Sequence, residues 1–215
     1  MRNVSFLGFQ KQDIRLIWNL SKMSLRDRFL GSRLGLIWAV IHPMMLLGMY
    51  TFVFGFVFKT KLPGAETTLS YVIWLLIGFV PYMAIADSIT NTGTAVISGA
   101  SLIKNLVFKS EALPVAAVMV ASIPFLVGMA FVMILLLVEG NYPSWHAAAL
   151  PLVFAVQFGF FVGLGFFLSA TCVFVRDIVQ ALPTVNLLIV FFTPIFYTLE
   201  MMPSVVRRVT FLNPF

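Results

Sequence analysis

The sequence predicts an all-α integral membrane protein, and two observations carry that expectation. Five long stretches, Leu34–Phe58, Thr67–Ala86, Ala112–Val138, Gly140–Val175 and Ile178–Leu199, contain no Asp, Glu, Lys or Arg. About 20 mostly apolar residues suffice for an α-helix to cross a bilayer. The 215 residues are 60% hydrophobic and only 10% charged, where ordinary globular domains carry about 25% charge. Lipid cannot satisfy exposed backbone donors and acceptors, so spans of this length must be helical. A barrel would need shorter segments alternating apolar and polar residues, and these runs are too uniformly apolar for that.

Residues 1–33 form the first element, a cytoplasmic amphipathic interface segment. Lys11, Arg15, Lys22 and Arg26 recur 4, 7 and 4 apart, which stacks them on one helical face. Ile14, Ile17, Trp18 and Leu25 supply apolar flanks. A basic amphipathic helix ahead of a span is expected to lie on the membrane surface, and Gly31 marks the bend into the membrane. The transmembrane domain covers 34–199, with spans at about 34–58, 67–90, 114–138, 146–174 and 178–199. Pro43 removes a backbone donor and is expected to bend the first span. The link Lys59–Glu66 contains Pro63 and Gly64, which favour a turn.

The second span runs past Asp87 into a polar tail, Ser88 to Ser98, and Gly99–Leu113 is a short amphipathic link. After the third span, Glu139–Trp145 turns the chain. The fourth span carries Gly159-x-x-x-Gly163, a small-xxx-small pattern suited to close helix packing and common by chance in apolar helices. Arg176 and Asp177 make a tight turn into the fifth span, on which Asn186, Val190, Thr193 and Tyr197 form a partly polar stripe. That stripe faces either a pathway or a partner helix. Residues 200–215 are read as an extracytoplasmic loop.

Orientation follows from Lys and Arg near span ends. With the N-terminus in the cytoplasm, ten cations fall inside: Arg2, Lys11, Arg15, Lys22, Arg26, Arg28, Arg33, Lys104, Lys109 and Arg176. Four fall outside, namely Lys59, Lys61, Arg207 and Arg208. The net charge of +6 is therefore a topology signal, with no recognition motif for nucleic acid beside it.

The chemistry missing from the sequence excludes several classes. No G-x-x-x-x-G-K-[ST] loop is present, so the chain has no phosphate loop for ATP. His42 and His146 fall near opposite faces of the membrane, and Cys172 is the single cysteine. Neither a metal site nor an internal disulfide can be built from them, and no G-x-S-x-G elbow points to a serine hydrolase. Asp87 is the one carboxylate near a span. It reads as a residue at the water boundary, as the wall of a cavity or, on thinner grounds, as a proton relay.

Four segments carry a family resemblance. The run RDRFLGSRLGLIWAVIHP, Arg26–Pro43, resembles the approach to the first span in type-2 ABC exporter permeases of the polysaccharide, O-antigen, capsule and teichoic-acid subfamily. LIKNLVFKSEALP, Leu102–Pro114, is similar to that family's cytoplasmic coupling segment, and FVRDIVQALP, Phe174–Pro183, to its F-x-R-D turn. PIFY at Pro194–Tyr197 and LNP at Leu212–Pro214 are similar to its fifth span and outer loop. The family has a sixth span after this point, which the present sequence lacks, so a truncation before the last span is expected.

The resemblance implies a non-enzymatic permease subunit in the cytoplasmic (inner) membrane, exporting lipid-linked polysaccharide. It implies a homodimer working with two copies of an ABC ATPase, which hold the ATP and Mg, and no cofactor in this chain. Coupling to the ATPase falls on Leu102, Ile103, Lys104, Phe108, Lys109, Glu111, Arg176 and Asp177. Along the pathway the expected residues are Phe52, Phe56, Asp87, Asn186, Phe191, Thr193 and Tyr197. Lys11, Arg15, Lys22, Arg26, Arg28 and Arg33 are expected to meet the substrate headgroup at the membrane surface. A same-fold permease for a drug or small lipid, and a non-transporting membrane assembly subunit, are the alternatives.

Overall fold

The computed structural model describes residues 11–59, 67–105, 107–140, 145–193 and 195–196. All regular structure among them is helical, with no strand. In chain order the helices are α1 (Lys11–Asp27), α2 (Trp38–Phe52), α3 (Thr68–Ser98), α4 (Ala100–Asn105), α5 (Ala112–Ala121), α6 (Ile123–Glu139), α7 (Leu150–Phe174) and α8 (Asp177–Phe192). A 3-10 turn, Gly35–Ile37, leads into α2, and a single π-helical turn, Val53–Val57, extends it.

Among the described residues four helical stretches are long and apolar enough to cross a membrane: Gly35–Val57, Thr68–Asn105, Ala112–Glu139 and Ala147–Phe174. Asp177–Phe192 is apolar but shorter. Tyr197, the link 60–66 and the tail 200–215 lie outside the described residues.

Prolines explain where these helices begin and where they continue. Pro114, Pro124 and Pro151 each sit in the first turn of α5, α6 and α7, where the missing N–H has no intrahelical partner to lose. Pro124 thereby divides the third apolar run, which the charge pattern presents as one helix, into α5 and α6 around a turn at Ser122. The Ser122 hydroxyl donates to the Val118 carbonyl at 2.9 Å. Pro43, Pro81 and Pro183 lie inside α2, α3 and α8, which continue through them, as membrane helices allow. Gly31 and Gly35 adopt φ of 81° and 52°, a left-handed backbone that only glycine takes without strain. They turn the chain between the end of α1 and the 3-10 turn Gly35–Ile37.

The chain divides into two compact units, each drawing on several helices. The first contains the described residues up to Trp38, with Asp87–Ile123 and Pro151–Leu182. In it Ile17 and Leu20 of α1 bury against Ala112, Leu113 and Ala116 of α5, flanked by Leu102 and Phe108. Gly165 of α7 comes so close to Thr92 that an added Cβ would meet its methyl at 2.9 Å. Among the described residues Gly159 and Gly163 have nothing within 4 Å of that position, so of the three Gly165 is the one that packs closely there.

The second unit contains Ala39–Ala86, Pro124–Leu150 and the described residues from Pro183 onward. Val72, Leu75, Leu76 and Val80 of α3 are buried there, and Val80 closes on Gly128 of α6. Rings fill the rest: Phe79 lies 4.5 Å from Tyr50, 5.7 Å from Tyr82 and 6.1 Å from Phe196 between centroids. Thr67 caps α3, its hydroxyl accepting from the Ser70 N–H at 3.2 Å. The Glu139 carboxylate accepts from the Thr67 hydroxyl at 2.7 Å and also from the Ser70 hydroxyl. A carboxylate at a helix N-terminus is favoured by the helix dipole, which explains an acidic residue at the end of an apolar helix.

Candidate functional site

The residues expected to couple to an ATPase are held in the first unit by a division of labour along one short segment. Leu102 and Phe108 turn inward onto the α1–α5 cluster. Ile103, Lys104 and Glu111 turn out to solvent, and Val107 is fully exposed. Lys109 is fixed in direction by Asp13 of α1, with its Nζ 2.8 Å from Oδ2. The Ser21 hydroxyl joins the same two helices, donating to its own turn at Ile17 O (2.8 Å) and reaching Ala116 O of α5 (3.4 Å). Arg176 and Asp177 are exposed at the turn between α7 and α8. The Arg176 carbonyl accepts from the Val179 N–H at 3.1 Å, and Asp177 opens α8, where its charge suits the dipole.

The cations of α1 and of the turn after it divide differently from their sequence spacing. Arg15, Lys22, Arg26, Arg28 and Arg33 are all exposed, and the Lys11 side chain lies outside what is described. Lys22 stands over the Trp18 ring at 5.2 Å, a cation–π contact that holds it on the outer face. Arg28 instead pairs with Asp87 of α3, Nη1 to Oδ2 at 3.2 Å. Asp87 is thus a partly exposed, paired carboxylate. Ile17, expected as an apolar flank, is buried against α5, while Ile14 and Trp18 stay exposed.

The pathway candidates separate into two groups within the second unit. Phe52 and Phe56 are exposed and stacked on α2, with centroids 6.2 Å apart, and Phe191 is exposed on α8. Asn186 faces inward: its amide donates to Ala86 O of α3 at 3.0 Å, and its backbone carbonyl accepts from the Tyr82 hydroxyl at 2.7 Å. Val190 is buried and Thr193 half-buried on the same stripe. Of the two readings open for that face, packing on a neighbouring helix is the one whose contacts are seen.

Sequence reasoning missed Asp13, Ser21 and Tyr82 as connecting groups. Each joins residues about a hundred positions apart, and only an amphipathic α1 with a small polar residue on its buried face hinted at one of them. Among the described residues no group of three His, Cys, Asp or Glu is placed to hold a metal ion.

Comparison with known proteins gives this arrangement its context. The family described as ABC-2 type transporter matches residues 15–215. The chain is 28% identical over 196 residues to the O-antigen export system permease protein RfbA of Klebsiella pneumoniae, covering 91% of this chain and 73% of that one. A second RfbA from the same organism is 27% identical over 199 residues, with the same coverage. RfbA of Myxococcus xanthus is 24% identical over 185 residues, covering 86% of this chain and 69% of that protein.

Proposed function

Because this chain belongs to the ABC-2 type transporter family, we propose that it is the membrane permease subunit of an exporter of lipid-linked polysaccharide, driven by a separate ATPase. The family match across residues 15–215, with relatives that are O-antigen export permeases along nine-tenths of the chain, carries this reading. A polymer on a lipid anchor cannot partition through a bilayer unaided, since burying its hydroxyls without partners is strongly unfavourable. It needs a pathway that opens and closes, and two subunits rocking between two states supply one.

In this reading the chain is a multi-pass protein of the inner membrane, with its N-terminus in the cytoplasm. The cation distribution and the basic outer face of α1 support that orientation. α8 (Asp177–Phe192) is the fifth span, and α1 lies at the membrane surface. Two copies form the permease, with Phe52, Phe56 and Phe191 on exposed helix faces available to a pathway. Ile103, Lys104, Val107 and Glu111, held outward by Leu102, Phe108 and the Lys109–Asp13 pair, meet the ATPase. ATP and Mg are bound by that partner, and this chain performs no catalysis. Arg15, Lys22 and Arg26, exposed on α1, meet the phosphates of a lipid-linked substrate.

The experiment is deletion and reconstitution. Cells lacking this protein are expected to accumulate lipid-linked polymer on the inner leaflet and lose it from the surface, with recovery on re-expression. Affinity purification of the intact protein should bring down an ATPase. Normal surface polymer in the deletion strain would remove the transport role and leave an assembly subunit. Loss of a drug or small-lipid efflux with polymer unchanged would move the substrate class.

A further inference from the structure

The first unit contains a cavity of about 320 Å³ beside the segment assigned to coupling. It opens between the C-terminal half of α1, the polar tail of α3 and α5. Its polar wall is Ser24, Asp27 and Arg28 from one side and Asn91, Thr94 and Ser98 from the other. Leu20, Met23, Leu102 and Val120 form the apolar remainder. Small-molecule sites run from about 300 to 1,000 Å³, so this one admits a single headgroup and excludes a stretch of polymer.

Its depth follows from α3. The apolar part of that helix, Thr68 to Ala86, rises about 28 Å at 1.5 Å per residue, close to the thickness of the hydrocarbon core. Asp87 and the residues after it therefore stand at the level of lipid headgroups. Asp87, Asn91, Thr94 and Ser98 share one face, spaced four, three and four apart.

The charge at the cavity selects the ligand. Asp27 and Arg28 line it, and Asp87 is paired to Arg28 at 3.2 Å beside it. Two carboxylates and one guanidinium make a surplus of negative charge, which disfavours a purely anionic headgroup. Arg28 directs one of its five N–H donors at Asp87 and retains others for a phosphate. Asn91 adds an amide nitrogen that is covered and has no acceptor among the described residues. Asp27, exposed at the end of α1, is an acceptor for an ammonium group.

We propose that this cavity binds a zwitterionic phospholipid headgroup of the ethanolamine type, with its phosphate on Arg28 and Asn91 and its primary ammonium on Asp27. A choline headgroup lacks the N–H donors for Asp27 and the neighbouring hydroxyls, and a glycerol headgroup lacks the cation.

The test uses the full chain in detergent and native mass spectrometry with phosphatidylethanolamine, phosphatidylcholine and phosphatidylglycerol of matched acyl chains. Phosphatidylethanolamine should be retained about tenfold better than either, the scale of one charge-assisted hydrogen bond. Asp27→Asn and Arg28→Gln should each erase that preference, and Gln12→Ala, on the same helix away from the cavity, should keep it. Thr94→Leu, which fills the cavity without altering charge, is the second variant, and helical circular dichroism checks that each variant is folded. Equal retention of the three lipids, or an unchanged preference in the folded variants, would overturn the proposal. Displacement of the lipid by equimolar soluble glycerophosphoethanolamine would assign the cavity to a free metabolite and overturn the lipid source.

Discussion

The first unit holds nine of the ten cations among the described residues, and the second holds Lys59 alone. Five of the six described carboxylates, Asp13, Asp27, Asp87, Glu111 and Asp177, are also in the first, with Glu139 in the second. The first unit joins α1 to α5 by a small apolar cluster with a hydroxyl and exposed ion pairs at its margin, the second its helices by ring contacts, close-packed valines and a few hydrogen bonds. Exposed ion pairs contribute little to stability, about 0–1 kcal/mol each, and re-form readily. Aromatic pairs contribute about 0.5–1.5 kcal/mol each beyond the area they bury. The charged unit thus adds readily exchanged contacts to its apolar cluster, and the apolar unit relies on rings.

Breaking the ring cluster tests the durable side most severely. Phe79→Ala removes three ring contacts and is expected to destabilise the protein by on the order of 2–4 kcal/mol, read as a lowered denaturation midpoint in detergent. A loss no larger than that of an exposed ion pair would erase the distinction between the units. Gly128→Val and Gly165→Val come next, one in each unit, because the new side chain overlaps Val80 or Thr92. Each should lose about 1–3 kcal/mol, whereas Gly163→Ala, with open space around it, should leave the midpoint in place.

The exchangeable side is expected to respond weakly in stability and strongly in assembly. Lys109→Glu should shift the midpoint by no more than about 1 kcal/mol, yet sharply reduce recovery of the ATPase, with Asp13→Lys in the same chain restoring it. Unchanged recovery would separate this pair from coupling. Arg28→Gln should show the smallest effect, about 0.2–1 kcal/mol at low salt. The difference should shrink further in about 1 M salt, where the Debye length falls to about 3 Å.

Much of this fold is legible in the residues, for a simple reason. Charge is so costly in lipid that its absence outlines apolar helices directly, and the apolar runs overlap α2, α3 and α7, though α3 continues past Ala86 to Ser98. Where the structure departs, the cause is local backbone chemistry inside an apolar run: Pro124 starts a new helix after Ser122, which hydropathy cannot register. The site was less legible. Periodicity identifies residues that share a face but not the neighbour that face meets. The Asn186 stripe was visible as a stripe, and only its bonds to Ala86 and Tyr82 show that it packs on α3. Lys109 and Asp13 lie 96 positions apart, and nothing in the spacing of either foretells the other. Gly165 has the same composition signal as Gly159 and Gly163, and only the approach of Thr92 distinguishes it.

One feature of α2 carries its own geometry forward. The turn Val53–Val57 is wound with five residues to a hydrogen-bonded ring where an α-helix needs four. The end of α2 therefore contains one surplus position. Rewinding that turn as α-helix would hand the surplus downstream and rotate Phe58 and the chain beyond it by about 100° around the axis. No span would have to break for this, and the rings at the helix end would be re-aimed like a key turned in place.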